Sequence, residues 1–123
     1  MKPLTSSQIE VFNQRFDRAI NGELRSLTII NPTTMLLRLS VQDEGRGFDW
    51  IDLELEISGV VDARLIDESK LSFLDMSEGI SILFDANEIL VSVGDYNTFE
   101  AGINAPLFIR GGTLKYQENN FSA

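Results

Sequence analysis

Apolar residues fall at every second position through much of the chain after Leu27, and the N-terminal stretch departs from that rhythm. There, Ile9, Phe12, Phe16, Ala19 and Ile20 fall on one face of a 3.6-residue repeat, while Glu10, Asn13, Gln14, Asp17 and Arg18 face away. Ser7-Gln8-Ile9-Glu10 has the form of a capping box, in which a serine oxygen accepts a backbone N–H and the glutamate reaches back. Gly22 stands where a left-handed cap costs least. These features predict one amphipathic helix over residues 7–21.

The period then drops to two. Leu27 and Ile29 open a first strand, Pro32 interrupts, and Met35, Leu37, Leu39 and Val41 form a second, ended by Asp43-Glu44-Gly45-Arg46-Gly47, a hairpin signal. The third strand, Trp50 to Ser58, puts Ile51, Leu53, Leu55 and Ile57 on one face and Trp50, Asp52, Glu54 and Glu56 on the other. Folding about Gly45 sets Leu39 against Ile51, Leu37 against Leu53 and Met35 against Leu55 in the core, with Arg38 against Asp52 on a solvated face. Gly59 marks a bend, after which Val61, Ala63 and Leu65 read as a fourth strand and Lys70 to Leu74 as a short fifth.

Ile80, Ile82 and Phe84 oppose Val93, Val91 and Ile89 across Asp85-Ala86-Asn87-Glu88, with Asn87 suited to positive φ. Asp95 to Ala105 is polar and loop-like, and Pro106 delays the next strand to Leu107. Leu107 to Arg110 and Thr113 to Tyr116 read as a last hairpin about Gly111-Gly112, and the tail from Asn119 as loose. The expected fold is α+β and mainly β: one N-terminal helix on a curved, mostly antiparallel sheet or partly closed barrel of about eight short strands. A chain of 123 residues fits a single domain, 1–123, that buries about two thirds of its unfolded surface.

Charge changes this picture in one place. Between Asp43 and Glu100 fifteen carboxylates face three bases, Arg46, Arg64 and Lys70, while both flanks are slightly basic, so the net charge of −9 belongs to the middle of the chain. An acidic surface attracts cations or basic proteins and disfavours nucleic acid and anionic membrane as partners. The start, Met1 to Ser7, has no apolar run of signal-peptide length, and no segment approaches a membrane span. With no cysteine there is no disulfide or thiolate metal site, so a cytoplasmic location is the simplest expectation. With no histidine the commonest general base and neutral metal ligand are missing.

Among candidate sites, Asp52, Glu54 and Glu56 share a strand face with Trp50, spaced by about 6.5 Å of strand rise. Carboxylates so placed could hold a hard cation, yet calcium takes six or more converging oxygens, which a flat strand does not supply. The preferred expectation is therefore a solvated acidic face that serves as a binding surface, with no metal and no cofactor. Neither Gly45-Arg46-Gly47 nor Gly111-Gly112 has the context of a phosphate loop, and no serine has an evident activating base, so no catalytic residue is assigned and the chain is expected not to be an enzyme. Trp50, Tyr96, Phe99 and Tyr116 could form an aromatic platform, although such residues are more often core. The loop carrying Asp95, Tyr96, Asn97 and Phe99 is the second candidate for recognition.

The helix-first order, the segment Trp50-Ile51-Asp52-Leu53-Glu54-Leu55-Glu56-Ile57-Ser58-Gly59-Val60, the stretch Ser77-Glu78-Gly79-Ile80-Ser81-Ile82 and the closing Leu107-Phe108-Ile109-Arg110-Gly111-Gly112-Thr113-Leu114-Lys115-Tyr116 resemble small acidic bacterial immunity-type proteins of polymorphic toxin systems. They also resemble families of similar build without an assigned function. The resemblance is one of strand pattern and charge; it implies a stoichiometric binder of a basic toxin domain and carries no site residue across. The alternatives are a small-ligand or carbohydrate-binding module that uses the mouth of the curved sheet, and a homodimer joined through an edge strand at Leu107 to Arg110.

Overall fold

The structure, a computed structural model, describes residues 1–122. The first half of the chain contains β1 (Lys2–Pro3), α1 (Ile9–Phe16), β2 (Glu23–Asn31), β3 (Thr34–Asp43), β4 (Asp49–Ser58) and β5 (Asp62–Arg64). The second half contains β6 (Ile80–Phe84), β7 (Ile89–Val93), α2 (Phe99–Gly102), β8 (Phe108–Gly111) and β9 (Thr113–Asn120). All strand pairings are antiparallel and form two sheets, a five-stranded one in the order β1-β9-β4-β3-β2 and a four-stranded one in the order β5-β8-β7-β6. The fold is thus α+β and mainly β with one principal helix, as expected, and its antiparallel strands divide between two sheets without closing a barrel.

Alternation explains how the sheets meet. Met35, Leu37, Leu39 and Val41 on β3, with Ile51, Leu53, Leu55 and Ile57 on β4, bury one face of the larger sheet. They pack in one core with Ile80, Ile82, Val91, Val93 and Ile109 of the smaller sheet. Phe12 and Phe16 of α1 close this core at one side, and Phe12 meets Tyr116 of β9 edge-on at 5.3 Å. The outer face of the smaller sheet carries a second, small cluster, Leu90 and Phe108 with Ala105, covered by Tyr96, Phe99 and Ile103.

The β3–β4 hairpin keeps the expected faces but slips by two residues: Met35 pairs with Ile57, Leu37 with Leu55, Leu39 with Leu53 and Val41 with Ile51. Turn chemistry causes the slip. Asp43 accepts the Gly45 N–H at 2.9 Å and starts a tight turn over Glu44–Arg46, and Gly47 and Phe48 follow with φ of 66° and 67°, which centres the hairpin on Arg46. The β6–β7 hairpin has the expected register, from Ile80 opposite Val93 to Phe84 opposite Ile89. Its turn is held by the Asp85 carboxylate, which accepts the N–H groups of Asn87 and Glu88, and Asn87 does not take positive φ.

Other expectations are corrected. The helix is shorter than residues 7–21 and ends at Phe16, after which Asp17, Arg18 and Ala19 turn left-handed with φ of 51°, 51° and 58°. Ser7 caps no backbone N–H; Gln8 Oε1 instead accepts the Thr5 N–H at 3.2 Å. Gly22 is required by contact and not by a left-handed turn, since a Cβ there would lie 2.8 Å from the Ser40 carbonyl oxygen. Lys70 to Leu74 is no strand: Asp67 accepts the Ser69 N–H and opens a 3₁₀ stretch over Glu68–Phe73, in which Leu71 alone is buried. Asp95 to Ala105 contains α2, whose Thr98 Oγ1 accepts the Ala101 N–H at 3.1 Å.

The largest correction concerns Gly111-Gly112. β8 belongs to the smaller sheet and β9 to the larger, so this pair is the crossing between sheets and not a hairpin turn. A Cβ on Gly111 would come within 2.7 Å of Ile57 Cγ2, and the Gly112 N–H bonds the Ser58 carbonyl at 2.9 Å. β8 consequently lies between β5 and β7, which removes Leu107 to Arg110 as an edge for homodimer pairing. The edges are β1 and β2 in the larger sheet and β5 and β6 in the smaller; on β2, the longest of them, register irregularities between Leu24 and Ser26 and between Ile29 and Asn31 work against such pairing.

Candidate functional site

The outer face of the larger sheet gathers the strand-face residues singled out from the sequence, but not as an open acidic row. Asp52 is fully buried. Its Oδ1 accepts the Ser40 hydroxyl at 2.8 Å, and its Oδ2 accepts Arg38 Nη2 at 2.6 Å, the Ser122 hydroxyl at 2.9 Å and the Ser122 N–H at 3.2 Å. Burial pushes the Asp52 carboxyl up, and the bonds from Arg38, Ser40 and Ser122 outweigh it, so its pKa lies below the usual carboxylate value. The expectation of a solvated Asp52 is therefore corrected. Charge on an outward strand position met two neighbouring donors, Arg38 and Ser40, and the segment after β9, which folds back over it.

Glu54 and Glu56 are half-buried on the same face. Glu54 stands opposite Arg38 on β3 and Gln117 on β9, and Glu56 opposite Leu36 and Lys115. Arg38 thus lies across from Glu54, not from Asp52 as expected, and reaches Asp52 diagonally. Trp50, 43% exposed, has its ring centroid 6.3 Å from that of Phe121. The Arg25 guanidinium stands 5.9 Å from the Phe121 ring and donates to Ser40 Oγ at 3.4 Å. Arg25, Ser40, Phe121 and Ser122 are members of this site that the strand pattern did not reveal, because they come from an edge strand, an outward serine and a tail read as loose.

The second candidate, the loop after β7, lies on the outer face of the other sheet and is not brought to Trp50. Asp95 pairs with Arg18 at 3.4 Å, and the Tyr96 N–H donates to Ser81 Oγ at 2.8 Å. Tyr96 and Phe99 pack into the small cluster of Leu90 and Phe108, with the Arg110 guanidinium 5.4 Å from the Phe99 ring; Asn97 is exposed. With Tyr116 turned inward against Phe12, the four aromatics do not form one platform.

A third cluster joins α1, the Glu44–Arg46 turn and β9. Asp43, fully buried at the inward end of β3, accepts Arg15 Nε at 2.8 Å and Nη2 at 2.7 Å, and Arg46 Nε stands 3.1 Å away. Arg15 also donates two bonds to Glu118, at 3.0 and 2.6 Å. The Arg15 bonds hold the Asp43 carboxyl below its usual range against the cost of burial, and reciprocally raise the Arg15 pKa. Its sequence signal was legible: Asp43 and Glu118 occupy positions that alternation turns inward, where a charge needs a partner.

Beside this cluster, Leu4, Val11, Phe12 and Tyr116 line a mostly apolar groove of about 300 Å³ between α1 and β9. Among the described residues no group of three or more acidic, histidine or cysteine side chains is placed to hold a metal ion, and no helix is long and apolar enough to cross a membrane. No protein-family model matches the chain, and no curated protein or solved structure matches it.

Proposed function

We propose that the chain is a non-catalytic domain that binds a basic protein, with neutralisation of a basic toxin as its specific form, in line with the resemblance to bacterial immunity-type proteins. One observation carries this reading. Of the fifteen carboxylates between Asp43 and Glu100, Asp43, Asp52, Glu88 and Asp95 stand within ion-pair distance of a base among the described residues, and the other eleven do not. Negative charge left uncompensated inside the molecule projects a field that speeds the approach of a cationic partner. Half-buried Glu54 and Glu56 belong to that set, on rigid strands that hold them in register.

The test is association kinetics of Glu54→Lys/Glu56→Lys with the product of the adjacent gene at two ionic strengths. Charge reversal is expected to slow association several-fold at low salt and to flatten its salt dependence, with the fold retained. An unaltered on-rate at low salt would overturn the acidic-face reading and move attention to the Asp95–Ala105 loop. A second reading, a small-ligand module, is favoured by the groove of Leu4, Val11, Phe12 and Tyr116, whose volume sits at the lower end for ligand sites. A saturable rise in melting temperature with a small apolar ligand, abolished by Val11→Asp, would select it.

A further inference from the structure

The last described residues do something a loose tail would not. β9 ends at Asn120, opposite Ile51, and the chain then turns onto the outer face of the sheet. There Ser122 gives both its N–H and its hydroxyl to Asp52 and accepts a bond from Arg38, while the Phe121 ring stands near both the Trp50 ring and the Arg25 guanidinium. The polar and aromatic groups of the sheet are thus matched to features of this segment. A fully buried carboxylate takes an amide and a hydroxyl, and an aromatic ring and a cation stand near an aromatic ring.

The attachment is complementary but shallow. Phe121 and Trp50 remain 45% and 43% exposed, and neither belongs to the core. Ordering a segment outside the strands costs conformational entropy that a few polar bonds and one aromatic contact offset only in part. Arg38, which donates to Asp52 and Ser122 through Nη2, has its Nε buried without a hydrogen-bond partner among the described residues, so its bonding here is incomplete. Releasing the segment breaks no contact within the core and frees the groups of Asp52, Arg38 and Trp50 that meet it.

We propose that the surface formed by Trp50, Asp52, Arg38 and Arg25 is a peptide-binding site for an aromatic residue followed by a hydroxyl residue, and that Phe121–Ser122 fills it in cis until a partner segment of that chemistry displaces it. This goes beyond the binding of a basic protein and does not depend on it, since the recognised groups are neutral. An intramolecular occupant competes at an effective concentration in the millimolar range. A partner must exceed that or bring further contacts, so the tail sets a threshold for binding.

Trp50 is the sole tryptophan of the chain and reports on its own site. In the full-length chain carrying Phe121→Ala/Ser122→Ala, acrylamide quenching of Trp50 is expected to rise about two-fold, with the far-ultraviolet dichroism retained. The tetrapeptide Asn-Asn-Phe-Ser, capped at both ends, is expected to reverse this saturably in the variant and to leave the unsubstituted chain at least ten-fold less responsive. The scrambled peptide Ser-Asn-Phe-Asn should do neither. Equal quenching in the two chains, a peptide without effect at about 5 mM, above the competing concentration of a tethered tail, or equal action of the scrambled peptide would each overturn the proposal. Should the double variant not fold, Phe121→Ala, which takes the aromatic ring off Trp50 and keeps the Ser122 bonds, carries the same titration.

Discussion

Leu53→Ala is expected to destabilise the chain by about 2 to 5 kcal/mol, the range for a buried leucine that leaves a cavity, while Glu54→Ala is expected to change stability by under about 0.5 kcal/mol, as for substitutions away from the core. Leu53 is 1% exposed and stands opposite Leu39 in the layer that faces the smaller sheet. Interiors pack at crystal-like density, so the neighbouring leucines cannot close the void without strain. Glu54 points to the other face and makes no side-chain hydrogen bond or ion pair among the described residues, so its truncation removes little. Urea denaturation of both variants measures the contrast. Reversed costs would mean that β4 presents its other face to the core, an error of one residue in register.

That contrast rests on what alternation makes legible. A period of two assigns faces, and the faces of β3, β4, β6 and β7 follow it throughout. Register is a finer matter, set by turn chemistry: whether Asp43 caps Gly45 decides if the hairpin centres on Gly45 or Arg46, and a shift of two leaves every face unchanged and so invisible to the pattern. Gly111-Gly112 shows a different limit. Two glycines suit a tight hairpin and a close approach equally well, and what decides here is Ile57 Cγ2 and the Ser58 carbonyl, more than fifty residues away in the chain.

The same distinction separates the candidate sites. Trp50, Asp52, Glu54 and Glu56 do share a face, as the spacing requires, but whether an outward carboxylate is wet depends on what crosses above it. Asp52 is covered because residues 121 and 122, with no apolar periodicity of their own, find matching donors and acceptors there. Aromatic Tyr96 and Phe99 lie in a polar stretch that reads as an exposed loop, yet the outer face of the smaller sheet bears Leu90 and Phe108, which need a cover.

Arg15→Ala is the second substitution expected to act strongly, through the carboxylate it leaves behind. Asp43 would remain wholly buried with one partly exposed partner, Arg46, and the Gly45 N–H, after losing two charge-assisted bonds. Removing one member of a buried ion pair costs about 3 to 5 kcal/mol where no partner remains; with Arg46 in place and Arg15 itself 32% exposed, about 2 to 3 kcal/mol is expected at neutral pH on the same scale. The pH dependence separates this from a simple packing loss. Asp43 has a folded pKa below its unfolded value, so its contribution is present in full above the unfolded value of about 3.9 and is lost as pH falls through the folded one. In Arg15→Ala the depression is largely gone, so acid unfolding should begin at higher pH. The stability gap between the two chains should then narrow as the pH is lowered below about 3.9. Chemical denaturation at a series of pH values measures the gap. A gap that stays constant from neutral to acid pH would mean that Arg15 contributes through its contact with Phe16 and not through the charge of Asp43.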